Sequence, residues 1–566
     1  MADESAAGGG GSQRGDRPLA GLPALWPLLA FVVFALLCLS VYRQALDGAF
    51  VSDDFGYIAS HPYTNDLSVE TLAAIFDPFG PAKLYAANYA PVHLLLTAIE
   101  KQIFAEATTG YHLVNVIVHA ANATLLVWLF LASGVAAGPA LLGGLLFAVH
   151  PANVEAVAWI SQLKTSGALF FALGALLAFR RRPGWATLLF VLGLLTKASA
   201  AFALPTAAAM TWAWGVSEPE RSGRRWAWLG LWLLLFAAYA VPQFGSFAHQ
   251  GQVEVAAYAD RGVHLRSVAA VGARYLVMAA SSWGVSAFQE PEPAFSWLDP
   301  WWLLAWPAGL LLLWRTIVTL RRRSLEGAWW VAAAASFAPV SQVFPFLNPV
   351  ADRYLYFVLP GLLGGLLCAW SAWSSTLPQG VRRGVAVATL ALAGVFVFHA
   401  EKRARLWRGE TWLLIDAAAH YPEGGTASYL RARRAAQEGD SATAVAELRH
   451  ATQRGIDRFS VLTGDPALAP IQGDPAFQQL VHDLAGRWIE NARRRGVSTQ
   501  AELRMLALAH VQRQELTLAV AAYEQALAAG GPLEAALRIE LEAVRRQQLR
   551  AGAPSAQEQG HPGPGS

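Results

Sequence analysis

The chain has 566 residues, with 43 Lys and Arg against 40 Asp and Glu, and its net charge of +3 is too small to attract nucleic acid. Hydrophobic residues make up 55% and charged residues 15%, against about 25% charged in a soluble domain, and mean hydropathy is +0.34. A soluble globule, a disordered chain and a fibre are excluded, leaving a polytopic membrane protein with a more polar part attached.

Residues 1–20 are Gly/Ser-rich and read as a disordered leader. The apolar run Leu22–Val41 is long enough to cross a bilayer. It lacks an A-x-A cleavage site, so it reads as a retained first helix. Further spans are predicted at Leu113–Leu131, Val135–Val149, Ser166–Phe179, Trp185–Thr196, Ala200–Trp214, Trp226–Val241, Trp301–Thr319, Ala328–Phe344, Leu355–Trp373 and Val385–Phe398. Residues 21–400 thus form an all-α membrane bundle of about eleven transmembrane helices. Ser267–Gly284 carries Arg274 and reads as an interfacial or re-entrant helix.

Arginine clusters at 180–182, 221–225, 321–323 and 382–383 fall on one side of this threading. The positive-inside rule makes that side, and the N-terminus, cytoplasmic. Gln44–Thr109, His150–Lys164, Gly245–Asp299 and everything after Phe398 then lie on the opposite face. Only five of the basic residues are lysine. With the alanine excess, that bias points to a bacterial chain, hence an inner membrane with the polar loops periplasmic.

Residues 401–550 have the charge density of a soluble domain. Leu503, Leu506, Ala507, His510, Ala519, Tyr523 and Ala526 follow the small/large spacing of a tetratricopeptide (TPR) helix pair, and Ala444, Leu448 and Ala451 repeat part of it. A generic helical hairpin fits these residues nearly as well. Residues 551–566 are Gly/Pro-rich and read as a disordered tail.

Four polar clusters interrupt the apolar pattern, all on the predicted outer face. Asp53 and Asp54 lie a few residues beyond the first helix. Adjacent carboxylates repel one another and are costly near hydrocarbon. A hydrated pair or a helix cap is the structural alternative; as a site, one serves as general base and the other orients it. Which of the two is the base stays open.

His112, Asn115, His119 and Asn122 share one helix face. Such stripes usually bond neighbouring helices, and His112, nearest the outer boundary, is the candidate site member. In the third cluster, Pro151 starts a helix after His150, and Glu155 and Trp159 share a face suited to a sugar. An interfacial helix anchored by Trp159, with Lys164 snorkelling, fits equally. Lys197 either serves an anionic headgroup or marks a helix end.

The fourth cluster is Asp352-Arg353-Tyr354-Leu355-Tyr356. Arginine forks onto phosphate and tyrosine stacks on rings, though an Asp–Arg pair with interfacial tyrosines is the alternative. There is no P-loop, Rossmann fingerprint or H-E-x-x-H motif. The two cysteines, Cys38 and Cys368, exclude a disulfide framework and a Cys-based metal cluster.

Val51-Ser-Asp-Asp-Phe55, Gly110-Tyr-His-Leu-Val-Asn115 with His119, Phe147-Ala-Val-His-Pro151 with Glu155-Ala-Val-Ala-Trp159, Leu194-Leu-Thr-Lys197 and Ala351-Asp-Arg-Tyr-Leu-Tyr356 occur in that order. The set resembles the transmembrane and tetratricopeptide-repeat O-mannosyltransferases and their bacterial relatives, within the GT-C class of membrane glycosyltransferases. It departs from them at Asn153, often His in relatives, and at Ala198, often an acid.

The resemblance implies inverting transfer of a sugar, mannose or another hexose, from a polyprenyl-phosphate donor to an acceptor hydroxyl on the periplasmic face. It implies Asp53 as base with Asp54 in support. Arg353, Lys164, Lys197, Tyr354 and Tyr356 would lie at the donor phosphate, and His112, His150, Glu155 and Asp352 around the acceptor or sugar. No obligatory metal or other cofactor is expected. The expected partners are membrane lipids, the lipid-linked sugar and a protein or glycan acceptor held by the TPR-like domain. A transporter or flippase of lipid-linked sugars and a non-catalytic TPR scaffold are the competing functions.

Overall fold

The computed structural model describes residues 25–59, 61–85, 88–250, 256–344 and 349–552, all in helices and connecting loops with no strand among them. The predicted leader, the predicted tail beyond Gly552, and Asn348 in the loop before the fourth cluster lie outside the described residues, while residues 551–552 of that tail end the last helix.

Helix α1 (Trp26–Tyr42) is followed by a loop containing α2 (Val69–Phe76), α3 (Ala82–Tyr85) and α4 (Pro91–Phe104). Next come α5 (Thr108–Ala132), α6 (Ala137–Val149), α7 (Val154–Ala158), α8 (Leu163–Phe179), α9 (Pro183–Thr196) and α10 (Ala203–Trp214). The bundle is completed by α11 (Pro219–Gln250), α12 (Arg261–Ser281), α13 (Pro300–Arg321), α14 (Leu325–Phe337), α15 (Asp352–Trp373) and α16 (Gln379–Leu406). Each predicted apolar run overlaps a helix; Ala328–Phe344 overruns its own, which ends at Phe337 with a short turn to Val340, leaving residues 341–344 non-helical.

Among the described residues, six helices are long and apolar enough to cross a membrane, or seven if α6 and α7 count as one bent span. The others fall short for a geometric reason. At 1.5 Å per residue, α9, α10 and α14 are about 18–21 Å long, against a hydrocarbon core of about 30 Å. By length and composition this is a multi-pass membrane protein. The Arg274 segment is a 21-residue helix, α12, and is not among the apolar spans.

Two local features shape the bundle. Pro151 cannot continue the hydrogen-bond ladder of α6, so the chain bends by 50° there. His150 Nδ1 then accepts from Ala152 N at 3.2 Å to start the next turn. On α15, Gly361 and Gly365 are four residues apart and face α14. A Cβ on Gly361 would lie 2.3 Å from Ala333 N, and one on Gly365 2.6 Å from the Trp330 ring. Only glycine allows so close an approach, which supplies the packing that lipid-embedded helices need.

The bundle shares one apolar core. Helix α17 (Glu410–His420) joins that core through Leu413, and two smaller cores hold the C-terminal helices α18 (Gly425–Gln437), α19 (Ser441–Gln453), α20 (Phe459–Gly464), α21 (Pro475–Arg495), α22 (Gln500–Gln512), α23 (Leu516–Ala528) and α24 (Glu534–Gly552). The predicted hairpin face Leu503, Ala507, His510, Ala519, Tyr523 and Ala526 is buried between α22 and α23, and Ala444, Leu448 and Ala451 are buried on α19.

Candidate functional site

The turn after α1 separates the two aspartates. Ser52 takes a left-handed conformation, φ +50°, at a cost of roughly 1 kcal/mol for a residue with a Cβ. Asp54 turns inward and is fully buried. Its carboxylate accepts from Val51 N at 3.0 Å and from Ser161 N at 2.8 Å, joining the turn to the segment after α7. Burial pushes its carboxyl up to about 7, opposed by those two N–H donors and assisted by the charge of Asp53.

Asp53 turns outward, with half of its side chain exposed and Oδ2 3.9 Å from Lys164 Nζ. Lys164 is itself largely buried and lies 4.0 Å from the Tyr57 ring centroid.

Behind this pair stand two further cations. Lys197, just past α9, donates to Thr165 Oγ1 at 2.7 Å and lies within Coulombic reach of Lys164, Arg353 and Glu155. Arg353 pairs through Nη1 with Glu155 Oε1, its backbone N donates to Glu155 Oε2 at 2.7 Å, and the charge of Asp53 acts on it. Its guanidinium lies over Trp159 at 5.4 Å and Tyr354 at 5.0 Å. Asp53, Lys164, Lys197, Arg353, Glu155 and Tyr354 thus form one cluster: three cations, one committed carboxylate and one open carboxylate.

The other predicted residues sit outside it. Tyr356 is fully buried, where its hydroxyl meets Asn122 Nδ2 at 3.0 Å and His119 Nδ1 at 2.9 Å. That is a core network and not a phosphate contact. His150 caps the helix after the bend and bonds Ala279 O at 3.1 Å through Nε2. His112 Nε2 lies 3.3 Å from Gly48 O, behind the aspartate turn. Asp352 accepts from Gln289 Nε2 at 2.7 Å and Ser286 N at 3.3 Å, anchoring the loop before α13. Asp53 and Asp54 face different partners, and among the described residues no three His, Cys, Asp or Glu side chains converge as metal ligands.

His93 on α4 was not legible in the sequence. It is buried, neither ring nitrogen has a partner among the described residues, and its ring packs 5.6 Å from that of Tyr57. Burial holds its pKa well below the usual histidine value, and the charge of Lys164 lowers it further. A lone His in a loop carries no pattern; only the fold brings it beneath the lysines.

An apolar cleft of about 450 Å³ opens nearby, lined by Phe79, Tyr89, Leu194, Leu195, Tyr239 and Pro242 among others. Lys197 follows Leu194 and Leu195 by one helix-terminal residue, so the cleft and the cationic cluster adjoin along α9. On the far side, Trp159 stacks on Trp407 at 5.4 Å, and Ala49 N donates to Arg408 O at 3.2 Å. The junction of α16 and α17 therefore braces the aspartate turn.

No protein-family model matches the chain, and no curated protein matches it in sequence. Among solved structures it is similar to the oligosaccharyltransferase of Archaeoglobus fulgidus in its apo form, at 13% identity and TM-score 0.39, over 68% of this chain and 56% of that one. The archaeal oligosaccharyltransferase AglB from the same organism, in complex with an inhibitory peptide and a dolichol-phosphate, gives 13% identity and TM-score 0.39 over 74% and 59%. The chain matches less than two thirds of the length of these structures.

Proposed function

We propose that this chain is a GT-C-class membrane glycosyltransferase that moves a sugar from a polyprenyl-phosphate donor to an acceptor hydroxyl. The observation that carries the proposal is the open Asp53 carboxylate 3.9 Å from Lys164, with Lys197 and Arg353 behind it. A single displacement at a sugar carbon needs a base on one side and positive charge on the other. The acceptor O–H gives its proton to Asp53 as its oxygen bonds the anomeric carbon from one face. The bond from that carbon to the phosphate oxygen breaks on the opposite face, and its electron pair leaves with the lipid phosphate.

Lys164, Lys197 and Arg353 stabilise the charge that develops on that phosphate. Arg353 is held by Glu155 and backed by Trp159, so its guanidinium need not reorganise during transfer. Asp54 has no free lone pair aimed at substrate; it holds the turn that presents Asp53. The apolar cleft along Leu194 and Leu195 suits an isoprenoid tail whose phosphate reaches Lys197.

By the sequence resemblance the sugar is mannose or another hexose. The acceptor is a protein Ser or Thr held by the C-terminal helical pairs, and the reaction lies on the periplasmic face of a bacterial inner membrane with the N-terminus cytoplasmic.

The test is transfer by purified full-length protein from a panel of polyprenyl-phosphate hexoses to Ser/Thr peptides, wild type beside Asp53→Asn. Transfer by wild type and its loss in Asp53→Asn is the expected result. Folded wild type that binds polyprenyl phosphate but turns over no donor would move the assignment to a lipid-sugar carrier.

A further inference from the structure

A second cleft, of about 660 Å³, lies between the end of α12, the loop that follows it and the α16–α17 junction. Its volume is that of a small-ligand pocket. Asp53, Lys164, Lys197 and Arg353 do not line it. Its charged walls are Arg274, Lys402, Arg403 and Asp416. Arg403 is spent on Asp416, at 2.7 Å.

Arg274 and Lys402 have no such partner among the described residues. Arg274 lies 4.6 Å over the Trp301 ring and Lys402 4.3 Å over the Phe398 ring. Asp299, whose charge acts on Arg274, is committed to the backbone N–H groups of Trp301 and Trp302 at the start of α13. The cleft therefore carries two cations that no direct ion pair engages among the described residues.

It also carries a flat apolar surface. Trp283 and Trp301 stack at 5.5 Å with 24° between their planes, and Trp283 remains 63% exposed. The mouth adjoins α13, only 6% of whose apolar window is covered by protein, so an amphiphile can bring its headgroup in from the bilayer.

We propose that this cleft is a second anion site that takes a phosphorylated sugar headgroup. The phosphate is held by Arg274 and Lys402, with arginine well matched to phosphate oxygens. The sugar ring lies on the exposed face of Trp283. One wall is Gln289, which donates to Asp352 Oδ1 at 2.7 Å and accepts from Tyr421 O–H at 2.5 Å. An occupant is thus linked through Gln289 and Asp352 to Arg353, the next residue along α15. The lateral opening at α13 makes a lipid the preferred source of the headgroup.

The test uses full-length protein in phosphatidylcholine nanodiscs with farnesyl phosphate and, separately, glucose 1-phosphate as probes, counting bound equivalents by native mass spectrometry. The Arg274→Gln/Lys402→Gln double variant should bind one equivalent of farnesyl phosphate fewer than wild type, its cleft affinity weakened about tenfold or more. Arg274→Lys/Lys402→Arg, which keeps the charges, should retain that equivalent and so separates loss of the site from misfolding.

If glucose 1-phosphate competes for the same equivalent, the headgroup chemistry is supported with a soluble source. If it does not compete, the site is one for lipids. Unchanged farnesyl phosphate binding in a folded double variant would overturn the proposal. None of these readouts requires turnover, so the result stands apart from the transferase assignment.

Discussion

The two adjacent aspartates should fail in different ways when each is replaced by asparagine. Asp53 is half exposed, and among the described residues its ion-pair contact is Lys164 at 3.9 Å. At that separation the attraction is about 1 kcal/mol in a water-like medium and about 4 kcal/mol at a protein-surface dielectric of 20, and exposure puts this pair toward the lower figure. Asp53→Asn should therefore leave the melting temperature within a degree or so while lowering kcat by about 10²–10⁴, the usual worth of a general base.

Asp54 is fully buried and accepts from two backbone N–H groups through its two oxygens. An asparagine there can accept from only one of them and turns its own NH₂ toward the other. The unpaired buried donors cost about 1–3 kcal/mol each. Asp54→Asn should lower the melting temperature clearly, with any loss of turnover following from a displaced turn. The assay is thermal unfolding of detergent-solubilised protein beside transfer kinetics for both variants. Abolished turnover at unchanged stability in Asp54→Asn, with Asp53→Asn active, would refute the assignment of roles.

Three further outcomes follow from buried charges. Glu155 is the counter-charge of Arg353, with side chains 2% and 15% exposed; Glu155→Gln should cost about 3–5 kcal/mol by leaving the guanidinium uncompensated. A double-mutant cycle with Arg353→Gln should give a double-variant loss well below the sum of the singles. Glu100 on α4 is buried, one of its oxygens has no partner among the described residues, and burial raises its pKa to about 8. The folded state therefore holds a proton that the unfolded state releases near pH 4.5. Stability should fall as pH rises from about 4.5 to 8, by on the order of 3 kcal/mol at neutral pH. Glu100→Gln should flatten that slope in thermal scans across pH 5–8, and an unchanged slope would refute the attribution. Glu290 accepts from Gly425 N at 2.5 Å and Thr426 N at 3.1 Å, tying the start of α18 to the loop before α13. Glu290→Ala should raise hydrogen exchange across Gly425–Gln437, with a loss of about 1.5–3 kcal/mol for each of the two charge-assisted bonds.

Much of the bundle and part of the site can be traced to local sequence. Each apolar run became helical because a backbone in lipid must bond within its own segment. Pro151 marked the start of a new helical segment after α6, since its missing N–H is no loss at a first helical position. The small/large spacing at 503–526 marked a buried hairpin face. The five-residue cluster at 352–356 shows where such reasoning stops. Arg353 and Tyr354 reach the charged cluster, whereas Tyr356 turns into the core with His119 and Asn122 and Asp352 anchors a loop. Residues on one helix point in different directions, and neighbours from distant helices decide what each one meets. For the same reason His93 and the Arg274–Lys402 cleft carry no local signal, since their parts come from separated segments.

Hydropathy and periodicity by themselves determined that this chain is an all-helical, multi-pass membrane protein with a polar helical C-terminal region, because those properties depend only on residues near one another along the chain. Tertiary structure alone decided that Asp53 faces outward while Asp54 is sealed, that Glu155 is the partner of Arg353, and that Lys164 and Lys197, 33 residues apart, come within Coulombic reach of one another. Electrostatic interaction falls off with distance in space and takes no account of separation in sequence.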